Sequence, residues 1–316
     1  MNWKIRLLVP CLSLTCLMTC TIAYSEESEQ LKALVLTGQS NHGWSVSSSH
    51  IQHVLEANGL FSVEVTTAPP KGADMSHFSP EFKPFDVVVL EYNGDPWQEL
   101  VQRSFEEYMQ LGGGLVISHA ATQNFPNWPA FNTMIGIGGW GGRDENAGPY
   151  VKYRNGSVVL DDRPGVAGAC VDPHEFQVVT RVADHPIMRG LPSRWLHAKD
   201  ELYSDLRGPA KNMTILATAY SDPQRSAHWG VRTTGTGEHE PMAYTVRYGE
   251  GRIFGTPMGH VDGGAQPGSG PWPAIECVGY TTLMQRGAEW AATGRVTQEV
   301  PVNFPAEAAR PERGER

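Results

Sequence analysis

Residues 31–120 alternate between short apolar segments and amphipathic ones, and this alternation restricts the fold more than any other feature. The amphipathic segments 48–58 and 97–111 have helical spacing, and the second is expected to turn Leu100, Val101 and Phe105 inward. Four segments have the composition of strands: 32–37, 61–66, 85–90 and 115–118. Most of these are continuously apolar, which is typical of strands buried on both faces. The order of strands and helices predicts an α/β protein with a doubly wound, mostly parallel sheet.

The second half of the chain is less regular. Its pattern predicts four more strands and a closing helix: 176–180, 214–219, 243–248, 252–256 and 276–293. Long loops rich in glycine and proline occupy 136–149, 233–241 and 259–273, and loops of this length in a compact domain are usually functional or disordered. No internal repeat or linker divides the body. We therefore expect one domain over residues 26–300, followed by a polar tail at 301–316.

The N-terminal segment has the order of features of a secretory signal. Lys4 and Arg6 precede an apolar run that ends in the small residues of Ala23-Tyr24-Ser25. We therefore expect a signal peptide at 1–25 and a periplasmic or extracellular protein. A lipoprotein site at Cys20 is the less favoured alternative, because Met18 and Thr19 fit it poorly.

The net charge restricts the binding partners that the protein can have, and the cysteine content restricts the disulfides that it can form. The formal net charge is −9, and loss of Lys4 and Arg6 with the signal takes it to −11. An acidic protein of this kind lacks the net positive charge that favours binding to nucleic acid or to an anionic membrane surface. No apolar stretch after the signal reaches membrane-spanning length. Cys170 and Cys277 lie beyond the signal, and the sequence leaves open both their pairing and a homo-oligomeric state.

Three histidines come within five residues of the end of a predicted strand: His42, His119 and His260. In an open parallel sheet, ligands bind beyond the carboxyl ends of the strands, so we expect these side chains to share a pocket. His119 stands where a strand turns toward a helix, which in related architectures presents a catalytic nucleophile. No Gly-x-Cys-x-Gly or Gly-x-Ser-x-Gly pattern surrounds it, so acyl transfer there is disfavoured. An imidazole at this position can instead transfer a proton or bind a metal.

Other residues are candidates for the same pocket. Asp200, Glu201 and His239 can supply a carboxylate or a further imidazole, although solvated loop charges or helix caps are the plainer interpretation. Trp140 lies in a glycine-rich loop and can stack on a sugar ring or simply pack. The pocket histidines are also candidate zinc ligands, but no H-E-x-x-H or C-x-x-C spacing is present. No cofactor is therefore firmly implied.

Cys277 begins the predicted closing helix, where a helix N-terminus lowers the pKa of a thiol. Its apolar neighbours Val278 and Tyr280 favour a buried structural thiol instead.

The order of several short motifs over residues 31–295 resembles that of the ThuA-like (trehalose utilisation) family. The matching pieces are Leu34-Val35-Leu36-Thr37-Gly38 with His42, Gly112-Gly113-Gly114-Leu115-Val116 with His119, Asp184-His185-Pro186-Ile187, Gly190-Leu191-Pro192, Asp200-Glu201-Leu202-Tyr203, and Tyr248-Gly249-Glu250-Gly251-Arg252-Ile253-Phe254 with Gly259-His260. The resemblance implies a flavodoxin-like, class I glutamine amidotransferase-like fold that lacks the amidotransferase cysteine. It also implies a role in carbohydrate catabolism, linked to trehalose-type disaccharides and their 3-keto derivatives.

The leading hypothesis is an enzyme that isomerises or cleaves a disaccharide or 3-keto-glycoside by histidine acid/base chemistry. Its predicted catalytic residues are His119, Glu201 and His260, and its predicted substrate-binding residues are His42, Trp140, His239 and Asp200. A non-catalytic sugar-binding protein is one alternative. A zinc-dependent hydrolase, with His42, His119 and His260 as candidate ligands, is another.

Overall fold

The computed structural model describes Met1 and residues 29–305, so all of the predicted signal peptide except Met1 lies outside the described residues. Within that part of the chain, twelve strands join into one sheet. The strands are β1 Leu31–Thr37, β2 Phe61–Thr67, β3 Val87–Leu90, β4 Gly114–Ser118, β5 Tyr150–Arg154, β6 Ser157–Asp161, β7 Ala169–Thr180, β8 Arg194–Ser204, β9 Met213–Tyr220, β10 Ala227–Gly230, β11 His239–Tyr248 and β12 Gly251–Thr256. The α-helices are α1 Trp44–Glu56, α2 Glu99–Gln110, α3 Pro129–Ile135, α4 Pro273–Glu276 and α5 Val278–Thr293.

Five parallel strands form one half of the sheet, in the order β2-β1-β3-β4-β12. Successive residues of β1 face opposite sides. Ala33 and Val35 pack in the core that includes α1 and α5, whereas Leu34 and Leu36 pack in the core that includes α2. Both faces of these strands are covered by helices, which explains their continuous apolar composition.

The other half of the sheet is antiparallel, so the predicted predominance of parallel pairing holds only for the first half. β11 pairs antiparallel with β12 and with β9, β9 pairs with β7, and the long β7–β8 pair and the β5–β6 hairpin extend the sheet. The physical reason is visible at the β11–β12 connection, where Gly249 and Glu250 alone link the strands. A connection this short can join only antiparallel neighbours, since a parallel crossover needs a dozen or more residues.

Two predicted helices differ from the structure in detail. Leu100 is 75 % exposed, while Val101 and Phe105 are buried as expected, because Leu100 lies about 100° around the helix axis from Val101. The predicted helix 276–293 is interrupted at Cys277, whose extended backbone (φ −70°, ψ 146°) separates α4 from α5.

Several smaller features complete the fold. Cys170 and Cys277 are both free thiols. Phe304 packs on Trp195 with ring centroids 5.5 Å apart, so the first residues of the predicted tail lie against the body. None of the helices in the described residues is long and apolar enough to cross a membrane.

Candidate functional site

The three strand-end histidines converge at one edge of the parallel half. β1, β4 and β12 run in the same direction, so the residues that follow them emerge on the same side of the sheet. The imidazole centroids of His42 and His119 are 4.7 Å apart, those of His42 and His260 5.1 Å, and those of His119 and His260 5.4 Å. The three rings therefore form a compact cluster.

Glu201 joins this cluster from the antiparallel half, where it lies within β8. Its Oε2 is 3.1 Å from His260 Nδ1, 3.7 Å from His119 Nε2 and 3.9 Å from His42 Nε2. Each of the four residues offers one ligand atom, and these atoms all lie within 4.8 Å of one another. We call His42, His119, Glu201 and His260 the histidine–glutamate cluster.

The orientation of His119 is fixed by its backbone and by two hydrogen bonds. It is the first residue after β4 and has φ +40°, a conformation that non-glycine residues adopt rarely. Its Nδ1 lies 2.7 Å from the carbonyl oxygen of Pro257, which can only accept, so Nδ1 carries the proton. The lone pair of Nε2 therefore faces the cluster and accepts from the Tyr203 hydroxyl at 3.0 Å. Gln123 in turn donates to that hydroxyl.

In the absence of a bound metal ion, the residues of the histidine–glutamate cluster differ strongly in protonation state. Burial, helped by the neighbouring imidazoles, lowers the pKa of His119 to about 3. Burial acts the same way on His260, but the Glu201 carboxylate outweighs it and raises the pKa to about 9. Burial opposes ionisation of Glu201, yet its contacts with His260 and His42 hold its pKa well below the usual range. At neutral pH the cluster therefore contains an anionic Glu201, a cationic His260 and a neutral His119.

Asp200 lies behind the cluster. Neighbouring residues of a strand point to opposite faces, so Asp200 turns away from the cavity that Glu201 reaches. Its buried carboxylate accepts from the backbone N–H groups of Gly259 at 2.8 Å and His260 at 3.0 Å, and from His197 Nε2 at 2.8 Å. Asp200 thus holds the loop that carries His260, in contrast to the substrate contact predicted from the sequence.

The cluster opens into a cavity of about 810 Å³. Trp140 forms part of its wall, with its ring 4.7 Å from that of Tyr203 in an edge-on arrangement. The loop of Trp140 is fixed by the buried guanidinium of Arg143, which donates to the carbonyls of Gly139 and Asn124. The cavity-lining residues are Asn41, His42, Gln123, Trp140, Cys170, Asp172, Pro173, Glu201, Tyr203, His228, Trp229, His260, Asp262 and Gly263.

His239 is not among the residues that line this cavity. It is the first residue of β11, where it pairs with Tyr220 of β9 and Tyr153 of β5. Its Nδ1 lies 3.3 Å from the Thr218 hydroxyl. The structure therefore places His239 in the sheet, apart from the histidine–glutamate cluster.

The sequence pattern did not predict several residues at the site, among them Tyr203, Asp262 and Trp229. Tyr203 lies two positions after Glu201 and so shares its face of β8, a signal that recognition of the strand would have provided. Asp262 Oδ1 is 3.1 Å from His260 Nε2. Trp229 is 69 % exposed on the short edge strand β10, and its local sequence carries no signal for a cavity.

Comparison with known proteins identifies a matching family and similar solved structures. The family model described as ThuA, trehalose utilisation, matches residues 32–265. A ThuA-like protein from Parabacteroides merdae is 46 % identical with a TM-score of 0.81, over 88 % of this chain and 95 % of that one. A ThuA-like protein from Bacteroides uniformis is 20 % identical with a TM-score of 0.54, over 84 % and 93 % of the two chains, and shows a shared fold. Among curated proteins, none matches this chain.

Proposed function

Because the chain belongs to the ThuA family of trehalose-utilisation proteins, we propose that it is an enzyme of carbohydrate catabolism that isomerises or cleaves a disaccharide or 3-keto-glycoside. The observation that carries this proposal is the convergence of three imidazoles and one carboxylate at the cavity. The strand order β2-β1-β3-β4-β12 supports the flavodoxin-like relationship that the family implies.

We propose that the histidine–glutamate cluster holds a divalent cation, with zinc the best match to nitrogen and carboxylate donors. Two ligands have the outer partners that metal-bound histidines usually have: His119 donates to the Pro257 carbonyl, and His260 Nε2 contacts the Asp262 carboxylate. His42 differs from these two histidines, because its buried Nδ1 has no hydrogen-bond partner among the described residues. When bound, the ion supplies Lewis-acid polarisation of a substrate oxygen.

The cavity suits a sugar in size and in chemistry. Its volume lies within the range of about 300–1,000 Å³ that is usual for small-molecule sites. The Tyr203 hydroxyl and the Gln123 amide offer hydrogen bonds beside the cluster. Trp140 and Trp229 present aromatic surface at the wall, on which the apolar face of a sugar ring can stack.

Metal-free acid/base catalysis is the second candidate, and the Tyr203–His119 hydrogen bond favours it. That bond occupies the His119 lone pair with a proton donor at 3.0 Å, which gives the imidazole a fixed tautomer and a route for a proton. In this mechanism the Tyr203 hydroxyl, which lines the cavity, takes a proton from the substrate as it passes its own to His119, and Glu201 orients the ring of His260.

The decisive experiment combines metal analysis with turnover. Protein purified without a metal-affinity tag is assayed by elemental analysis, then incubated with trehalose and its 3-keto derivative while the sugars are followed by NMR. We expect one zinc ion per chain, turnover that stops on chelation, and no turnover by His119→Ala. His77→Ala serves as the control, since His77 is exposed and distant from the cavity residues.

Other results would change the assignment. Turnover that needs no metal and survives chelation would replace the metal site with acid/base catalysis. Tight binding of the sugars without any product would overturn the enzyme proposal in favour of a sugar-binding protein.

We also propose that residues 1–25 direct export to the periplasm or the extracellular space. Amino-terminal sequencing of the protein from cell fractions tests this. A mature chain that begins at Glu26 supports export, and an intact amino terminus in the cytoplasm contradicts it.

A further inference from the structure

A second group of chemically reactive side chains lies beside the cavity, on the side of Asp200 that faces away from the histidine–glutamate cluster. Cys277 Sγ is 3.4 Å from His197 Nδ1, and His197 Nε2 is 2.8 Å from Asp200 Oδ2. His197 and Asp200 are each 1 % exposed, whereas Cys277 is partly exposed. Cys277 is not among the cavity-lining residues, so it is a group separate from the sugar site.

The three side chains have the order of a nucleophile, a base and an orienting group. The Asp200 carboxylate is held by backbone N–H groups of Gly259 and His260, so it acts only as an acceptor toward His197. His197 therefore donates its Nε2–H in the hydrogen bond to Asp200, which leaves Nδ1 to accept the proton of the thiol. A thiol, an imidazole and a carboxylate in this order are the arrangement by which cysteine nucleophiles are activated.

The break between α4 and α5 explains why the thiol points to His197. The sequence predicts one uninterrupted helix over 276–293 with Cys277 in its first turn, and the apolar neighbours of Cys277 favour a structural thiol. The extended backbone at Cys277 instead makes it the N-cap of the sixteen-residue helix α5. The positive end of a helix dipole stabilises a thiolate there.

The local charges act in the same direction. Burial by itself raises the pKa of the Cys277 thiol, but the hydrogen bond and charge of His197 outweigh it, and the net pKa is lowered. Burial likewise opposes the charge of His197, while Asp200 and Cys277 raise its pKa to about 10. Tyr280 also lies near the thiol, and burial raises its pKa far above neutrality, so it is uncharged.

We propose that Cys277, His197 and Asp200 form a nucleophilic thiol site that takes soft carbon electrophiles. The sulfur attacks the electrophilic carbon, the S–C bond forms, and the leaving group departs with the electron pair of its bond. The thiol proton remains on His197 as the imidazolium, which the Asp200 carboxylate balances. This site is a candidate for covalent modification, and it requires no participation of the sugar cavity.

Alkylation by iodoacetamide of the folded chain that begins at Glu26, and so lacks Cys11, Cys16 and Cys20, tests the proposal, with intact-protein mass spectrometry as the readout between pH 5.5 and 9. We expect a single adduct at Cys277, formed at pH 6.5 at least about tenfold faster than on glutathione, because a free thiol with a pKa of about 8.5 is mostly protonated there. Cys277→Ser abolishes the adduct. His197→Gln slows it at pH 6.5 by at least about tenfold.

The chain contains its own control. Cys170 is 2 % exposed and burial raises the pKa of its thiol, so Cys170→Ser leaves the alkylation rate unchanged. The pH profile of the unmodified protein decides the matter even if His197→Gln fails to fold. Two results overturn the proposal. One is an alkylation rate that decreases as the pH is lowered in the same way as the rate for glutathione, and the other is labelling of Cys277 only after denaturation.

Discussion

Two buried groups of ionisable residues lie in the same sheet and differ in one respect. In the first, which we call the lysine cluster, Lys152 Nζ lies 2.8 Å from Asp205 and 2.5 Å from Glu240, and Arg232 also pairs with Asp205. Lys152, Asp205 and Glu240 are at most 3 % exposed. The histidine–glutamate cluster is also buried, but its only fixed charge is the Glu201 carboxylate, and it opens into the cavity.

The contrast between these two clusters shows that buried charge alone does not identify a functional site. The lysine cluster contains its own permanent cation, so its carboxylates are paired within the protein, and it links β5, β11 and the residue that follows β8 as a structural element. The histidine–glutamate cluster is neutralised only by protons or by an ion that enters from the cavity. A cluster that depends on an exchangeable cation is suited to chemistry, and one that is internally neutralised is suited to stability.

The largest expected effect concerns the lysine cluster. Lys152→Met leaves Glu240 buried without a cation, and removal of one partner from a buried ion pair costs about 3–5 kcal/mol of unfolding free energy. Urea denaturation followed by circular dichroism measures this loss. The zinc content of the folded fraction should not change, and a stability loss below about 1 kcal/mol would contradict a structural role.

Glu201→Gln tests the other side of the comparison. The amide keeps the size of the side chain but removes its charge, so the zinc dissociation constant should rise by more than about 100-fold, beyond the effect typical of outer partners. Competition with a chromogenic chelator measures the constant. Glu238→Gln is the matched control, since Glu238 pairs with Arg154 away from the cavity. Equal affinity in both variants would show that the cluster holds no cation.

Asp200→Asn should produce an intermediate effect. The carboxylate that holds the backbone N–H groups of Gly259 and His260 becomes an amide with one acceptor oxygen, so His260 loses its fixed position. Zinc affinity should fall about 10- to 100-fold, the range for groups that orient metal ligands. Calorimetric titration with zinc measures it, and unchanged affinity would show that the loop of His260 is positioned by other contacts.

The smallest expected effect is at the cavity wall. Trp229→Ala removes an exposed aromatic surface and should weaken sugar binding by about 1 kcal/mol, or about fivefold in Kd. Calorimetry with the bound sugar measures this change. Leu100→Ala is the control, because Leu100 is equally exposed but lies on α2 rather than in the cavity wall. The same loss in both variants would exclude a specific stacking role for Trp229.

The parallel half of the fold could be predicted because its information is local. Continuous apolar strands and amphipathic helices fix a parallel sheet, and a parallel sheet brings the residues after its strands to one edge, so convergence of His42, His119 and His260 follows. The roles of these residues in binding or catalysis stay predictions, since geometry alone does not test them.

The antiparallel half was harder to predict because its strands depend on distant partners. β8 contains Arg194, Lys199, Asp200 and Glu201, and its stability comes from pairing with β7 rather than from an apolar pattern of its own. Its position, and therefore the way Glu201 reaches the histidines, is decided by long-range contacts. The edge strand β10, which carries Trp229, has only four residues and is mostly exposed.

The position of β10 at the edge of the sheet has a consequence for the sugar selectivity that the proposed function implies. β10 pairs only with β7 and occupies one end of the strand order, so insertions or substitutions there break few ladder hydrogen bonds. The three histidines instead follow β1, β4 and β12, which are strands in the interior of the sheet. Under the proposed function, sugar selectivity can therefore diversify along this border while the histidine–glutamate cluster keeps its geometry, and exchange of β10 between relatives is the experiment that follows from it.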